Sequence, residues 1–451
     1  MIKPKLLIFY FLILGNICSP PSYATNLIQV YNQALASDPV YAQAESNWHS
    51  VEMNLPIAQA SYLTQVGVIA NSTRNYSYYN PESQSLIQDY NWQYGYTLSI
   101  TQPIFNLPAW ESIKNAKAIV KAATASFFAS QQQLIQRTVT AYFNVLRAQN
   151  ALKYILANKD AVMQQLTASE TKYKTGVIAI TDVYNARSSY DQILAQQTTA
   201  ENSLDNALEA LHIITGRYYK SLNDITKRLP LLKPIPTNIN RWVTTANTQN
   251  YNILTQKYNV LAAMDTIKQK ASGGFPVLSL AGGYSQAQAV DNTSNRTVTD
   301  NASLGFNLAY NPIQGGLINA STKQARYNYL AAVSKLEEVH RQVVSVARSS
   351  YVGMLFAITQ IETDQLRVSS ARDALAATEA GLTVGTRTMV DVLSALTTLY
   401  EAQQKSVLDQ YTYIEQFIAL KAAAGTLSVA DLVKINTWLG KSVAFHPLHW
   451  D

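Results

Sequence analysis

The chain has almost no cysteine: its single thiol, Cys18, lies within the first 24 residues. The remainder of the chain can hold no disulfide framework, no thiol nucleophile and no thiolate metal site. Long apolar runs are missing as well. Beyond the amino-terminal segment nothing approaches the roughly 18 apolar residues of a membrane-spanning helix. Charge is sparse at 14% of residues, and the net charge of +6 comes without the basic run that would suggest nucleic acid. The five histidines, His49, His212, His340, His446 and His449, are scattered, and no phosphate loop or nucleophile elbow is present. No catalytic centre, metal or cofactor is expected. Proline is absent from Ala109 to Leu229 and again from Ile313 to Phe445. Both stretches are therefore free to form very long helices.

The amino-terminal segment reads as a secretory signal. Lys3 and Lys5 make a basic start, Leu6 to Ile17 is apolar, and Ser22-Tyr23-Ala24 is a small-x-small cleavage site. Residues 1–24 are expected to be removed. Ile17 stands where a lipoprotein signal needs a small residue, which argues against lipidation at Cys18. An exported chain without an apolar helix is periplasmic, secreted or an outer-membrane barrel.

Residues 26–60 carry helical spacing, interrupted at Asp38-Pro39 with Asp38 as the expected cap. The pattern then switches to period two. From Tyr90 to Thr101 the even positions are Tyr90, Trp92, Tyr94, Tyr96, Leu98 and Ile100, and the odd positions are polar or glycine. That matches a membrane-barrel strand, apolar outward with aromatics; an amphipathic strand of a soluble sandwich is the alternative. Residues 77–89 are expected to be a polar loop. Pro108 opens a helix predicted to run to Thr175, roughly 100 Å at 1.5 Å per residue. A return helix is predicted from Thr181 to Thr215, and a connector carries Pro230, Pro234 and Pro236. The plan then repeats: helix to Ala271, strands over 275–284 and 302–310 around an exposed loop 285–301, a long helix after Pro312, and a return helix ending before Gly425.

The halves match at an offset of about 209 residues. Pro103 corresponds to Pro312, Lys114 to Lys323, Tyr142 to Tyr351, Gly176 to Gly385, Asp182 to Asp391 and Gly216 to Gly425. The expected divisions are residues 25–236 and 237–440, with a tail 441–451 that has no assigned role. Each half supplies two strands, and four strands cannot close a barrel or show open edges to lipid. An oligomer is required if the strands lie in a membrane. Apolar residues of the second return helix, Met389, Leu393, Leu396, Tyr400, Val407, Tyr411, Ile414 and Ile418, keep coiled-coil spacing.

The signal peptide, the duplicated strand–strand–helix–helix plan, the tips Thr181-Asp182-Val183 and Val390-Asp391-Val392, and Gly425-Thr426-Leu427 together resemble the TolC family of outer-membrane efflux and secretion channels. The resemblance spans Asn26 to Leu439. It implies a mixed α and β membrane protein: long α-helical hairpins forming a periplasmic α-barrel, and four strands per chain in a shared trimeric transmembrane β-barrel. It implies a homotrimer in outer-membrane lipid, working with a periplasmic adaptor and an inner-membrane pump or ABC transporter. An exported structural or adhesive coiled-coil protein is the alternative.

By the same resemblance Asp391 lines the narrow periplasmic entrance. A second acidic residue is usual one turn on, where this chain has Ser394. Three carboxylates in a ring are expected to raise their collective pKa while staying ionised at neutral pH. Arg387, Thr181 and Asp182 match positions that hold the tip closed; a tyrosine usual in a second link is Leu382 here. Gly176, Val177, Gly385 and Thr386 match adaptor-contacting tips. The simpler readings are helix capping for Asp391, Thr181 and Asp182, and turn chemistry for the glycines.

Overall fold

The computed structural model describes residues 25–79, 87–226, 229–290 and 296–445. The signal peptide with Cys18, and His446 and His449, lie outside the described residues. Three helices open the chain: α1 (Leu27–Ser37), α2 (Pro39–Glu52) and α3 (Asn54–Ala60). The break between α1 and α2 is where Asp38-Pro39 predicts it. The Asp38 carboxylate accepts from the Tyr41 amide at 3.0 Å and pairs with the Arg137 guanidinium. Asp38 therefore ends one helix, caps the next and anchors both to a third.

Strands β1 (Gln65–Tyr79) and β2 (Ile87–Phe105) come next. Helix α4 (Leu107–Lys174) is a single rod of 68 residues, capped by Asn106 with Pro108 in its first turn. It is about 100 Å long, and α5 (Ile180–Thr215) folds back along it. After strand β3 (Ser221–Ile225), the second half supplies α6 (Ile239–Gln249), α7 (Tyr251–Ala271), β4 (Val277–Val290), β5 (Arg296–Ala309), α8 (Leu317–Thr383) and α9 (Met389–Ala423). Helix α10 (Val429–Asn436) and strand β6 (Leu439–Ala444) complete the described chain.

Of the loops expected at 77–89 and 285–301, residues 77–79, 87–89, 285–290 and 296–301 are strand, and the rest lies outside the described residues. β1 and β2 stay paired out to Tyr79 opposite Ile87, and β4 and β5 out to Val290 opposite Arg296. Their Gln, Asn, Ser and Thr residues suggest loop by polarity. A proline-free segment can still satisfy its backbone in a ladder, whatever its side chains. A second departure is the small sheet of β3 and β6, which joins the segment just after α5 to the start of the tail assigned no role.

The main core lies around this small sheet, where α4 and α9 meet. Tyr142, Phe143, Leu146, Tyr411, Tyr413 and Ile414 are all inaccessible to solvent there. Asp224 of β3 accepts from the Tyr411 hydroxyl at 2.7 Å, the Asn150 amide at 3.1 Å and the Ile225 backbone N–H at 2.7 Å. Burial, with Asp224 beside it, pushes the Tyr411 hydroxyl well above the usual tyrosine range, so it stays a neutral donor. The repeat also has a physical counterpart here. Tyr142 donates to the carbonyl of Asn223, and its equivalent Tyr351 to that of Thr237. Each half thus ties its long helix to the segment joining the halves.

Candidate functional site

The two hairpin tips are built alike. At the end of α4, Gly176 takes φ +74°, the Val177 N–H donates to Lys172 O and the Gly176 N–H to Tyr173 O, both at 2.9 Å. At the end of α8, Gly385 takes φ +78°, the Thr386 N–H donates to Gly381 O at 2.9 Å and the Gly385 N–H to Leu382 O at 3.2 Å. Both are Schellman motifs, which satisfy the last carbonyls of a helix through a left-handed residue. Val177 is 69% exposed, so the tip presents an apolar side chain to solvent. Beneath the tips a small core of Val162, Leu166, Val183, Met389, Leu393 and Leu396 joins the two hairpins. Leu382 packs against this core.

The predicted site residues separate into different roles. Asp391 forms a reciprocal capping box with Thr388: its Oδ2 accepts from the Thr388 N–H at 2.8 Å and hydroxyl at 2.9 Å, and the Asp391 N–H donates to Thr388 Oγ1 at 3.2 Å. These bonds, with Arg387 nearby, hold its carboxyl below the usual range. Within one chain this is opposite to the expected rise. The reason is that the cap selects the ionised form, whereas mutual repulsion needs further copies. Ser394 and Thr398 are exposed and line a polar cleft with Asn185, Ser188 and Ser189 of α5. Thr181 and Asp182 lie in the first turn of α5, but the N-cap is Ala179 and no side chain caps this helix. The expected capping role is therefore not filled by either residue. Arg387 is exposed, and its N–H donates to Gly381 O at 3.2 Å. Among the described residues no ion pair joins Arg387 to Asp182 within the chain. The Thr388-x-x-Asp391 pattern that marks the cap is legible in the sequence. The facing of Ser394 toward α5 is not.

At the other end of the rods, β1, β2, β4 and β5 form one antiparallel sheet in that order. Residues directly opposite in such a ladder share a face. One face carries the rows Val66, Ile100, Gly282, Leu304 and Val68, Leu98, Tyr284, Ala302. The other carries Gly67, Ser99, Gly283, Ser303 and Asn71, Gly95, Ala287, Thr299. The division is that of a membrane barrel, apolar outward and small or polar inward. Leu304, Phe306 and Leu308 are 77%, 74% and 65% exposed, so the apolar face has no cover within the chain. No helix among the described residues is long and apolar enough to cross a membrane.

The sequence profile of the outer membrane efflux protein family matches residues 30–217 and 242–426, the two repeats in turn. The chain belongs to that family. It is 35% identical over 442 residues to the outer membrane protein TolC of Escherichia coli K12, covering 94% of this chain and 87% of that protein. It is 34% identical over 446 residues to TolC of Vibrio cholerae serotype O1, covering 97% and 99%. In three dimensions it superposes on the CmeC outer membrane channel of Campylobacter jejuni with a TM-score of 0.74, at 17% identity, over 91% of this chain and 89% of that one. That likeness is one of fold. A member of this family is an outer-membrane exit duct of efflux and secretion systems that reaches into the periplasm. It is not an enzyme, and the family sets aside the alternative of an adhesive coiled-coil protein.

Proposed function

We propose that three copies of this chain close one β-barrel and one helical tunnel. The tunnel would take drugs, other small molecules or secreted polypeptides from an inner-membrane pump or ABC transporter and release them outside. The observation that carries this reading is the pair of edge strands. β1 and β5 each present an unpaired edge beside an uncovered apolar face. Lipid cannot satisfy those backbone groups, so neighbouring copies must. Light scattering in mild detergent should give a trimer; a monodisperse monomer with intact β signal would contradict the proposal.

The tips complete the reading. Gly176, Val177, Gly385 and Thr386 form the outward turns on which a periplasmic adaptor would dock. Three-fold symmetry brings the Asp391 carboxylates to one level, giving a single negative collar that favours cations. Asp391→Asn keeps an acceptor for Thr388 while removing the charge, so it should weaken cation preference without loss of assembly. Ser394→Asp should strengthen both cation preference and block by multivalent cations. Reversal potentials in planar bilayers decide; an Asn variant as cation-selective as the parent would reduce Asp391 to its cap. The cap has its own pH signature. Because the folded-state pKa is depressed, its stabilisation is present above the unfolded value and fades as pH falls through the folded one.

Arg387, Thr181 and Asp182 are proposed to link neighbouring hairpins and hold the tunnel closed. Arg387→Ala and Thr181→Val should each raise single-channel conductance. An exposed pair contributes only ~0.2–1 kcal/mol, and three-fold repetition multiplies it. Unchanged conductance in both variants would remove the latch.

A further inference from the structure

Asn158 of α4 lies roughly 24 Å from the tip end of that helix, at 1.5 Å per residue. There α4, α5 and α9 part to leave a cleft of about 630 Å³. Small-molecule sites typically enclose ~300–1,000 Å³. The cleft is walled by Tyr154 and Asn158 of α4, Gln192 and Gln196 of α5, and Tyr400 and Glu401 of α9. Among the described residues no Lys, Arg or His lines it. Glu401 is exposed, and among the described residues no ion pair or hydrogen bond engages its carboxylate. Asn158 is only 6% exposed, and its Oδ1 is buried without a donor. Tyr400 is half-buried against the tip core. The lysines that adjoin lining residues in sequence are all engaged elsewhere. Lys153 lies over the Tyr154 ring at 5.6 Å from its centroid, Lys159 donates to Gln197 Oε1 at 3.0 Å, and Lys405 to Asp409 Oδ1 at 2.7 Å.

We propose that this cleft binds an organic ammonium ion with an aromatic body. The Glu401 carboxylate and Asn158 Oδ1 are acceptors, and an ammonium group supplies the donors both lack. A buried acceptor left alone is costly, and an N–H from a ligand removes that cost. The Tyr400 and Tyr154 rings offer apolar area to the body of the ligand, and an aromatic face attracts a cation. An anion would meet Glu401 with no basic side chain in the lining to offset it. A neutral ligand would forgo the charge attraction. The glutamine amides both donate and accept, so they do not choose between charges, and the preference rests on Glu401. Glu401 also lines the polar cleft of Ser394 and Thr398, so the two clefts adjoin along α9. Every lining residue belongs to one chain, so the site stands or falls apart from the three-chain reading.

The test uses full-length protein in phosphatidylcholine nanodiscs and three fluorescent probes of one shape: naphthylmethylammonium, naphthylmethanol and naphthylacetate. Fluorescence anisotropy, corrected with empty nanodiscs, reads binding. The parent should bind the cation about tenfold more tightly than the alcohol, and the anion least, as a charge-assisted contact gives. Glu401→Gln should bring the cation down to the level of the alcohol and leave the alcohol unchanged. Gln196→Lys places a competing ammonium in the cleft and should abolish the cation preference. Tyr400→Phe should bind as the parent does, whereas Tyr400→Leu should weaken cation and alcohol alike. Absence of charge preference in the parent, or its persistence in Glu401→Gln, overturns the proposal. Displacement by potassium at equal concentration would show a simple cation site, and equal binding of acetyl-lysine amide would assign the cleft to a lysine of a partner protein; either overturns the small-molecule assignment. Glu401 and Gln196 are exposed, so their variants should fold; should one fail, the parent's ranking of the three probes and the other variant still decide. Light scattering on the same samples reports assembly separately.

Discussion

Replacing Gly425 by alanine is expected to destabilise the protein by ~2–5 kcal/mol, from left-handed backbone strain of ~1–2 kcal/mol and overpacking of ~1–3 kcal/mol. Gly425 has φ +74°, and a Cβ built on it would lie 2.3 Å from Gln249 O and 2.8 Å from Asn250 Cα. Both are backbone atoms and cannot swing aside. Asn250 also caps α7 through Oδ1 to the Asn252 and Ile253 amides, and it donates to Ala423 O at 3.0 Å. Moving that segment would therefore loosen a cap and the joint between α7 and α9 together. Two glycines serve as controls. Gly385→Ala meets the same strain at φ +78° with nothing within 4 Å, and Gly216→Ala meets only the Ser37 side chain, its Cβ at 3.6 Å and Oγ at 3.9 Å. Denaturation of the three variants should rank Gly425→Ala well below the others. Equal losses would mean that the close contact contributes nothing.

The second large effect has the opposite sign. Asp364 of α8 and Asp409 of α9 are both buried, at 0% and 6% exposure. Lys405 Nζ is 2.7 Å from Asp409 Oδ1, and the Gln360 amide donates to Asp364 Oδ1 at 3.2 Å. Burial, and then Asp409 beside it, push the Asp364 carboxyl above its usual range. Burial therefore opposes the charged form of Asp364. Its folded-state pKa is raised, so its favourable contribution is present below the unfolded value of 3.8 and is lost as pH rises through the folded value. Counting back 209 residues gives Ile155 and Ala200, which line one groove where α4, α5 and α9 meet. The first hairpin thus carries apolar side chains at the positions where the second buries two carboxyls.

Asp364→Ile/Asp409→Ala, which copies the first hairpin, should stabilise α8 against α9 by ~1–4 kcal/mol at neutral pH, as replacement of buried charged groups commonly does. Asp364→Asn should give a smaller gain and flatten the pH dependence above pH 4. Asp409→Ala alone strands Lys405 and should gain less than the double variant. Thermal midpoints measured across pH are the readout. A double variant less stable than the parent at neutral pH would show that the pair is satisfied as it stands.

Much of this protein is written in its local residue pattern. Proline-free stretches with heptad-like apolar spacing dictated the rods, because nothing in them interrupts a helix. Glycines at Gly176, Gly385 and Gly425 marked the stops, because the left-handed residue of a Schellman motif is cheap only for glycine. The alternation from Trp92 to Ile100 set the two faces of the sheet, because period two admits no other assignment. The 209-residue offset set the repeat, and four strands are too few to close a barrel alone. Thr388 and Asp391, three apart before an apolar run, carried the cap in plain view.

Other features exist only once the chain has folded. The ends of the expected loops, residues 77–79, 87–89, 285–290 and 296–301, are strand because ladder pairing depends on the strand opposite, which local polarity does not report. The β3–β6 sheet brings together segments more than 200 residues apart, and neither is apolar enough alone to announce a partner. Asp364 and Asp409 look like ordinary surface residues of amphipathic helices until the packing of α8 on α9 buries them together. In each case the deciding quantity is a contact between residues distant along the chain, and composition and periodicity describe only near neighbours.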